Sequence, residues 1–97
     1  MARKGYWVVC YKSVSNPAAV SEYVKLATTA LEALRGRVIV GGKPAKTHEA
    51  GADQSVVVVE FDNLDKAISA YESDLYREAL KVFDNAAERD FRILEGL

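Results

Sequence analysis

Apolar and polar positions along this chain change period several times, and each change marks an element. From Gly5 to Val14 the run GYWVVCYKSV is dense in β-branched and aromatic residues and stops at Ser15-Asn16-Pro17, which reads as a strand ending in a turn. Asn16 is a good N-cap and Pro17 suits the first helical position, where its missing N–H costs nothing. Val20, Tyr23, Val24, Ala27, Ala30, Leu31 and Leu34 then recur at spacings of three and four, predicting an amphipathic helix. Gly36 is expected to end it in a left-handed conformation, and Arg37 to Val40 reads as a second strand closed by Gly41-Gly42. The polar, glycine-containing stretch from Gly41 to Gln54 is a loop with a short extended piece over Lys46 to Glu49. Val56 to Phe61 (VVVVEF) is the strongest strand signal, and Asp62-Asn63 caps a short helix over Leu64 to Tyr71. The chain breaks at Glu72-Ser73, where Ser73 caps a further helix carrying Tyr76, Ala79, Leu80, Phe83 and Ala87 at helical spacing. Phe91 to Leu94, ended by Gly96, completes the order as a fourth strand.

The order β-α-β-β-α-β is the split βαβ pattern of ferredoxin-like α+β folds, a four-stranded antiparallel sheet with helices on one face. The other face of such a sheet is ordinarily polar, which gives clean alternation. These strands do not alternate: Tyr6, Val8 and Cys10 point to one side of strand one and Trp7, Val9 and Tyr11 to the other, and four consecutive valines fill strand three. A second copy packing sheet against sheet would cover the apolar second face. Trp7, Val9 and Tyr11 are the residues expected at that dimer interface, since aromatic side chains commonly anchor interfaces.

Length and composition narrow the function classes. The 97 residues allow one domain, spanning 1–97, and 49% hydrophobic with 28% charged residues is the composition of a packed globule. Thirteen basic against fourteen acidic residues leave a net charge of -1, so nothing grips a nucleic-acid backbone or an anionic membrane. The single cysteine, Cys10, excludes an internal disulfide and a cysteine-rich metal site, and reads as a buried inert thiol in a reducing compartment. No apolar run is long enough for a bilayer, and Met1 to Lys4 leads into no secretory core, so a cytoplasmic location is expected. Gly36 to Pro44 is no phosphate loop, because its Gly-Lys pair is out of register and Pro44 stands where a metal-binding hydroxyl is required. The central strands lack the aromatic and basic run of an RNA-binding sheet, and Ser13 to Asn16 lacks a glycine-rich anion cradle. No metal, haem or nucleotide motif is present, so no cofactor is expected.

What remains are isolated side chains. Arg37 and Arg92 interrupt apolar strand segments, where an unpaired charge is costly to bury, and Glu60 is placed to pair with such an arginine across the sheet. Tyr71, Ser73 and Tyr76 bring three hydroxyls to the helix break, with polar tips on apolar bodies suited to a pocket wall. Arg37, Glu60, Tyr71, Ser73, Tyr76 and Arg92 are therefore the candidate ligand-binding set. His48, the one histidine, reads as a solvated loop residue, and Asp84, Glu88 and Asp90 as a solvated face near the end of the last helix.

Several of these residues occur together in one pattern: Gly5-Tyr6-Trp7, Asn16-Pro17, Tyr23, Gly36-Arg37, Glu49-Ala50-Gly51, Val59-Glu60-Phe61, Ala70-Tyr71-Glu72-Ser73 with Tyr76, and Arg92 to Gly96. Taken together they resemble the domain of unknown function 1330 family over nearly the whole chain. The resemblance implies a small bacterial protein of the dimeric α+β barrel group, two ferredoxin-like subunits facing their sheets to each other. It implies no defined activity, because that group spans unrelated chemistries and a shared fold does not carry function. His48 is outside the family pattern. Two readings stand beside each other: a homodimer that binds and transforms a small organic molecule in a cavity between helices and sheet, without metal or nucleotide cofactor, or a non-catalytic dimeric module for a protein partner. In the first, Arg37 and Arg92 anchor the ligand and Tyr71, Ser73 and Tyr76 wall it.

Overall fold

In the computed structural model, residues 3–97 are described. The chain forms β1 (Gly5–Val14), α1 (Pro17–Ala33), β2 (Arg37–Gly42), β3 (Val56–Phe61), α2 (Leu64–Glu72), α3 (Asp74–Phe83) and β4 (Ala87–Glu95). The strands make one antiparallel sheet in the order β2-β3-β1-β4, so the outer strands are those that follow a helix and the longest strand is internal. This is the ferredoxin-like α+β arrangement. Among the described residues no helix is long and apolar enough to cross a membrane.

Side chains cap the helices. Asn16 Oδ1 accepts from Ala19 N at 3.2 Å, with Pro17 at the first helical position, and Asn63 Oδ1 accepts from Lys66 N at 2.9 Å. At the break between α2 and α3, Ser73 does two jobs: its Oγ donates to Ala70 O at 2.7 Å and accepts from Tyr76 N at 3.3 Å. The left-handed residue at the end of α1 is Arg35 (φ 61°), not Gly36. Gly36 N bonds Leu31 O at 2.8 Å and Arg35 N bonds Glu32 O at 3.3 Å, the paired bonds of a Schellman end with Gly36 one position further out. Gly36 is required there for space: a Cβ would come within 2.8 Å of the Phe61 ring and 3.0 Å of the Leu31 side chain.

Cross-strand register assigns the faces. Trp7 lies opposite Val59 and Ile93, and Val9 opposite Val57 and Phe91, so these six share the face covered by the helices. Trp7 and Val9 are 2% and 3% exposed inside the core, with Trp7 Nε1 donating to Ala67 O at 2.7 Å on α2. Tyr11 packs partly buried against the same core. The assignment of Trp7, Val9 and Tyr11 to a subunit interface is thereby corrected. In a sheet with helices on one side only, the largest rings go under the helices, because that is where they are fully removed from water. The open face carries instead Tyr6, Val8 and Cys10 with their partners Val56, Val58, Glu60, Asp90, Arg92 and Leu94.

Three further boundaries differ from expectation. The glycines Gly41 and Gly42 continue β2 rather than end it, and the Lys46 to Glu49 segment is irregular. Helix α3 stops at Phe83, where Asp84 and Asn85 turn left-handed (φ 42° and 57°), so Ala87 opens β4 instead of extending a helix. Strand β4 is therefore nine residues long, and Glu88 and Asp90 lie on it rather than on a helix face.

Candidate functional site

Helix α1 leans on α3 rather than on the sheet: the Tyr23 ring lies 4.9 Å from Phe83 and 6.1 Å from Tyr76. Between the inward side of α1 and the sheet a cavity of about 270 Å³ remains. Tyr23, Ala27 and Leu31 of α1, Val9 of β1, and Val57 and Val59 of β3 supply its apolar walls. Trp7, Tyr76 and Phe91 line it as well, packed ring to ring with Trp7 4.9 Å from Tyr76 and 5.1 Å from Phe91. A wider, more open groove of about 440 Å³, lined by Lys12, Lys43 and Asp53 among others, shares Tyr11, Val24 and Val57 with the cavity.

The polar groups of the cavity are concentrated at Arg89. Its Nη1 donates to Tyr23 Oη at 3.0 Å, and Tyr23 Oη lies 2.5 Å from Tyr76 Oη. Four rings surround the guanidinium, with centroids 4.2 Å (Phe83), 5.1 Å (Tyr23), 5.4 Å (Phe91) and 5.7 Å (Tyr11) from its central carbon. Such contacts hold a cation electrostatically without a counter-ion. Burial, with help from the Tyr23 hydroxyl, pushes the Tyr76 phenol far above its ordinary value, so it is a neutral hydrogen-bonding group at physiological pH. Burial alone would lower Arg89, but the tyrosine hydroxyls outweigh it and the guanidinium stays firmly charged. Burial also raises Tyr11, partly opposed by Arg89. Two further polar side chains of the wall are committed elsewhere: Thr28 Oγ1 donates to Val24 O at 2.7 Å and Trp7 Nε1 to Ala67 O.

Of the six residues expected from the sequence to form a ligand site, Tyr76 lines this cavity. Arg37 and Glu60 meet on the open face and sheet edge, where Arg37 Nε and Nη2 reach Glu60 Oε1 at 3.2 and 3.1 Å and Nη2 reaches Asp62 at 3.3 Å. Tyr6 Oη donates to Glu60 at 3.1 Å and its phenol is raised mainly by that bond. Arg92 bonds Asp90 at 2.9 and 3.1 Å, also on the open face. Both arginines are thus matched by carboxylates and point away from the cavity. Tyr71 packs among Trp7, Tyr76 and Phe91, and Ser73 is a helix cap. Tyr23 and Arg89 were not among the six. The signal for Arg89 was strand parity: with Phe91 and Ile93 facing the core, position 89 shares their side once β4 is taken back to Ala87. Among the described residues no group of three or more His, Cys, Asp or Glu is placed to hold a metal ion.

The family model for domain of unknown function 1330 matches residues 4–97. The chain belongs to that family. Solved structures share the DUF1330 chain's fold at low identity. The RPA0582 protein of unknown function from Rhodopseudomonas palustris aligns with a TM-score of 0.74 at 16% identity, covering 100% of this chain and 85% of that one. A hydroxynitrile lyase from Passiflora edulis aligns with a TM-score of 0.71 at 10% identity, covering 100% and 96%. A dimeric ferredoxin-like protein of unknown function from Thermobifida fusca aligns with a TM-score of 0.57 at 16% identity, covering 99% and 93%. At these identities the likeness is one of fold. A search of the curated proteins found no match.

Proposed function

We propose that this family member is a homodimer whose subunits each bind a small organic molecule in the cavity between α1 and the sheet, using protein groups alone. The observation that carries the reading is the cavity itself: an apolar, ring-lined space of about 270 Å³ with a Tyr23–Tyr76 hydroxyl pair at its polar end. Sites for small ligands are concave and mainly apolar, with a few placed polar groups. The chemistry open to these groups is hydrogen-bond donation and proton exchange through neutral phenols. An apolar second sheet face and the dimeric Thermobifida fusca relative in fold support the homodimer.

Native mass spectrometry combined with a cavity-filling variant tests this reading. The unmodified protein should fly as two chains and retain added small molecules. Ala27→Leu, which extends a 6%-exposed side chain into the cavity, should keep the two-chain mass and lose the retained molecule. A single-chain species, or retention unchanged by Ala27→Leu in a folded variant, would count against it.

A further inference from the structure

We propose that the cavity takes a small planar monoanion, a carboxylate or enolate on an aromatic or unsaturated body, with Arg89 as its charge partner; this deepens, and rests on, the reading of the cavity as a ligand site. Charge matching is the first argument. Arg3, Arg37 and Arg92 each have a carboxylate within 4 Å, at Glu95, Glu60 and Asp90, while Arg35 and Arg77 have none among the described residues but are exposed, so water solvates their charge. Arg89, half-buried and turned toward the cavity, has none among the described residues, and the carboxylates beside it in sequence, Glu88 and Asp90, alternate to the other side of β4. Its aromatic surround keeps the cation in place but leaves its charge unneutralised.

Hydrogen-bond counting is the second argument. A guanidinium has five N–H donors and no acceptor. One of the five is used on Tyr23, the Tyr11 and Tyr76 hydroxyls stand close to the guanidinium as well, and no carboxylate among the described residues takes the donors that remain. The two hydroxyls of Tyr23 and Tyr76 share one proton between their oxygens, which leaves their second O–H to find a partner. Tyr23 Oη already accepts from Arg89, so the polar end of the cavity presents donors almost exclusively. The complementary ligand is an acceptor with negative charge, and a planar carboxylate or enolate meets a guanidinium fork in two parallel bonds.

Size and wall shape complete the case. A dry cavity of about 150 Å³ lined by apolar side chains suffices for benzene. The 270 Å³ found here therefore holds one ring or a short conjugated chain plus its acid group, beside the rings of Tyr76 and Phe91 that line it.

Trp7, the one tryptophan, lines the cavity and reports occupancy through its fluorescence. Cinnamate and 4-nitrobenzoate are titrated into the native protein, each beside its neutral amide of nearly the same shape, and then into Arg89→Gln and Arg89→Lys. The acids should quench Trp7 at concentrations about tenfold or more below their amides, as expected for a charge-assisted pair. Arg89→Gln should erase that preference while amide binding stays within about threefold, and Arg89→Lys should recover part of it, since a point charge keeps the attraction without the planar fork. Equal binding of acid and amide by the native protein overturns the anion assignment and leaves the ligand site standing. So does an acid preference that survives Arg89→Gln but is lost in Lys43→Ala, which would move the anion to the outer groove. Absence of quenching by all four compounds removes the ligand-site reading and the inference with it. The native comparison of acid with amide decides the matter even where a variant folds poorly.

Discussion

Individual residues matter here through the bonds they complete and the space they leave. Removing the Tyr76 hydroxyl should leave the Arg89–Tyr23 bond in place and delete one buried bond. Tyr76→Phe should therefore cost about 1–2 kcal/mol in urea unfolding, the range for a lost buried hydrogen bond. Gly36→Ala should cost about 1–3 kcal/mol by forcing a methyl against Phe61 and Leu31, with no contribution from a left-handed φ. Asp90 titrates with a definite sign. The two bonds from Arg92 hold its carboxyl below the ordinary 3.8, so the ionised form is the one the fold prefers. Its contribution is fully present above that value and is lost as pH falls through the depressed one. Melting temperatures of native protein and Asp90→Asn should accordingly differ at neutral pH and converge in strong acid; a constant gap would show that the pair does not act through charge. At this scale the sequence was legible for exposed pairs and poorly legible for the cavity. Arg37 and Glu60 stand out because charge in an apolar strand is conspicuous, and they do meet across the sheet. Arg89 lies in a polar stretch, ERD, where nothing local distinguishes the inward charge from its outward neighbours.

At the scale of elements, local chemistry was the reliable guide. The caps at Asn16, Asn63 and Ser73 sit where short polar side chains precede apolar periodicity, and each accepts its helix N–H. Ser73 both receives the Tyr76 N–H and closes the end of α2, so Ser73→Ala should lower stability by about 1 kcal/mol, typical of a lost N-cap. Ser73→Asp should recover only part of that loss in the same unfolding measurement, because a carboxylate accepts the Tyr76 N–H but has no proton to give Ala70 O at the end of α2. Equal stability of all three proteins would show that the break is set by packing alone. Where the reading faltered, tertiary packing overrode local pattern. Ala87 falls at helical spacing from Phe83, yet the left-handed pair Asp84-Asn85 turns the chain and sends Ala87 into β4. That turn, with the wider register of β4 against β1, is what carries Arg89 under the helices.

On the scale of the whole molecule, the proposed homodimer places the second copy against the open sheet face. Its centre is apolar, Val8 opposite Val58 and Cys10 opposite Val56, and its flanks hold the Arg37–Glu60 and Arg92–Asp90 pairs. Each pair is internally neutral, so two such faces approaching about a two-fold axis meet without net repulsion, and the same residues serve both sides of the contact. Sequence pattern made the apolar centre of the open face legible: strands apolar on both sides leave one side uncovered when the helices lie on the other. Parity alone does not reveal on which side the helices lie, which is why the sequence pattern points Trp7 outward and the structure buries it. A charge at the centre of the face separates folding from association. Val58→Asp leaves the core side of β3 untouched, so the variant should keep its helical and sheet signals in circular dichroism. In sedimentation velocity the native protein should run as two chains and Val58→Asp as one, since two uncompensated carboxylates would be desolvated near each other at the axis. Lines of equal sedimentation for the two proteins would mean that the second face is not the contact between copies.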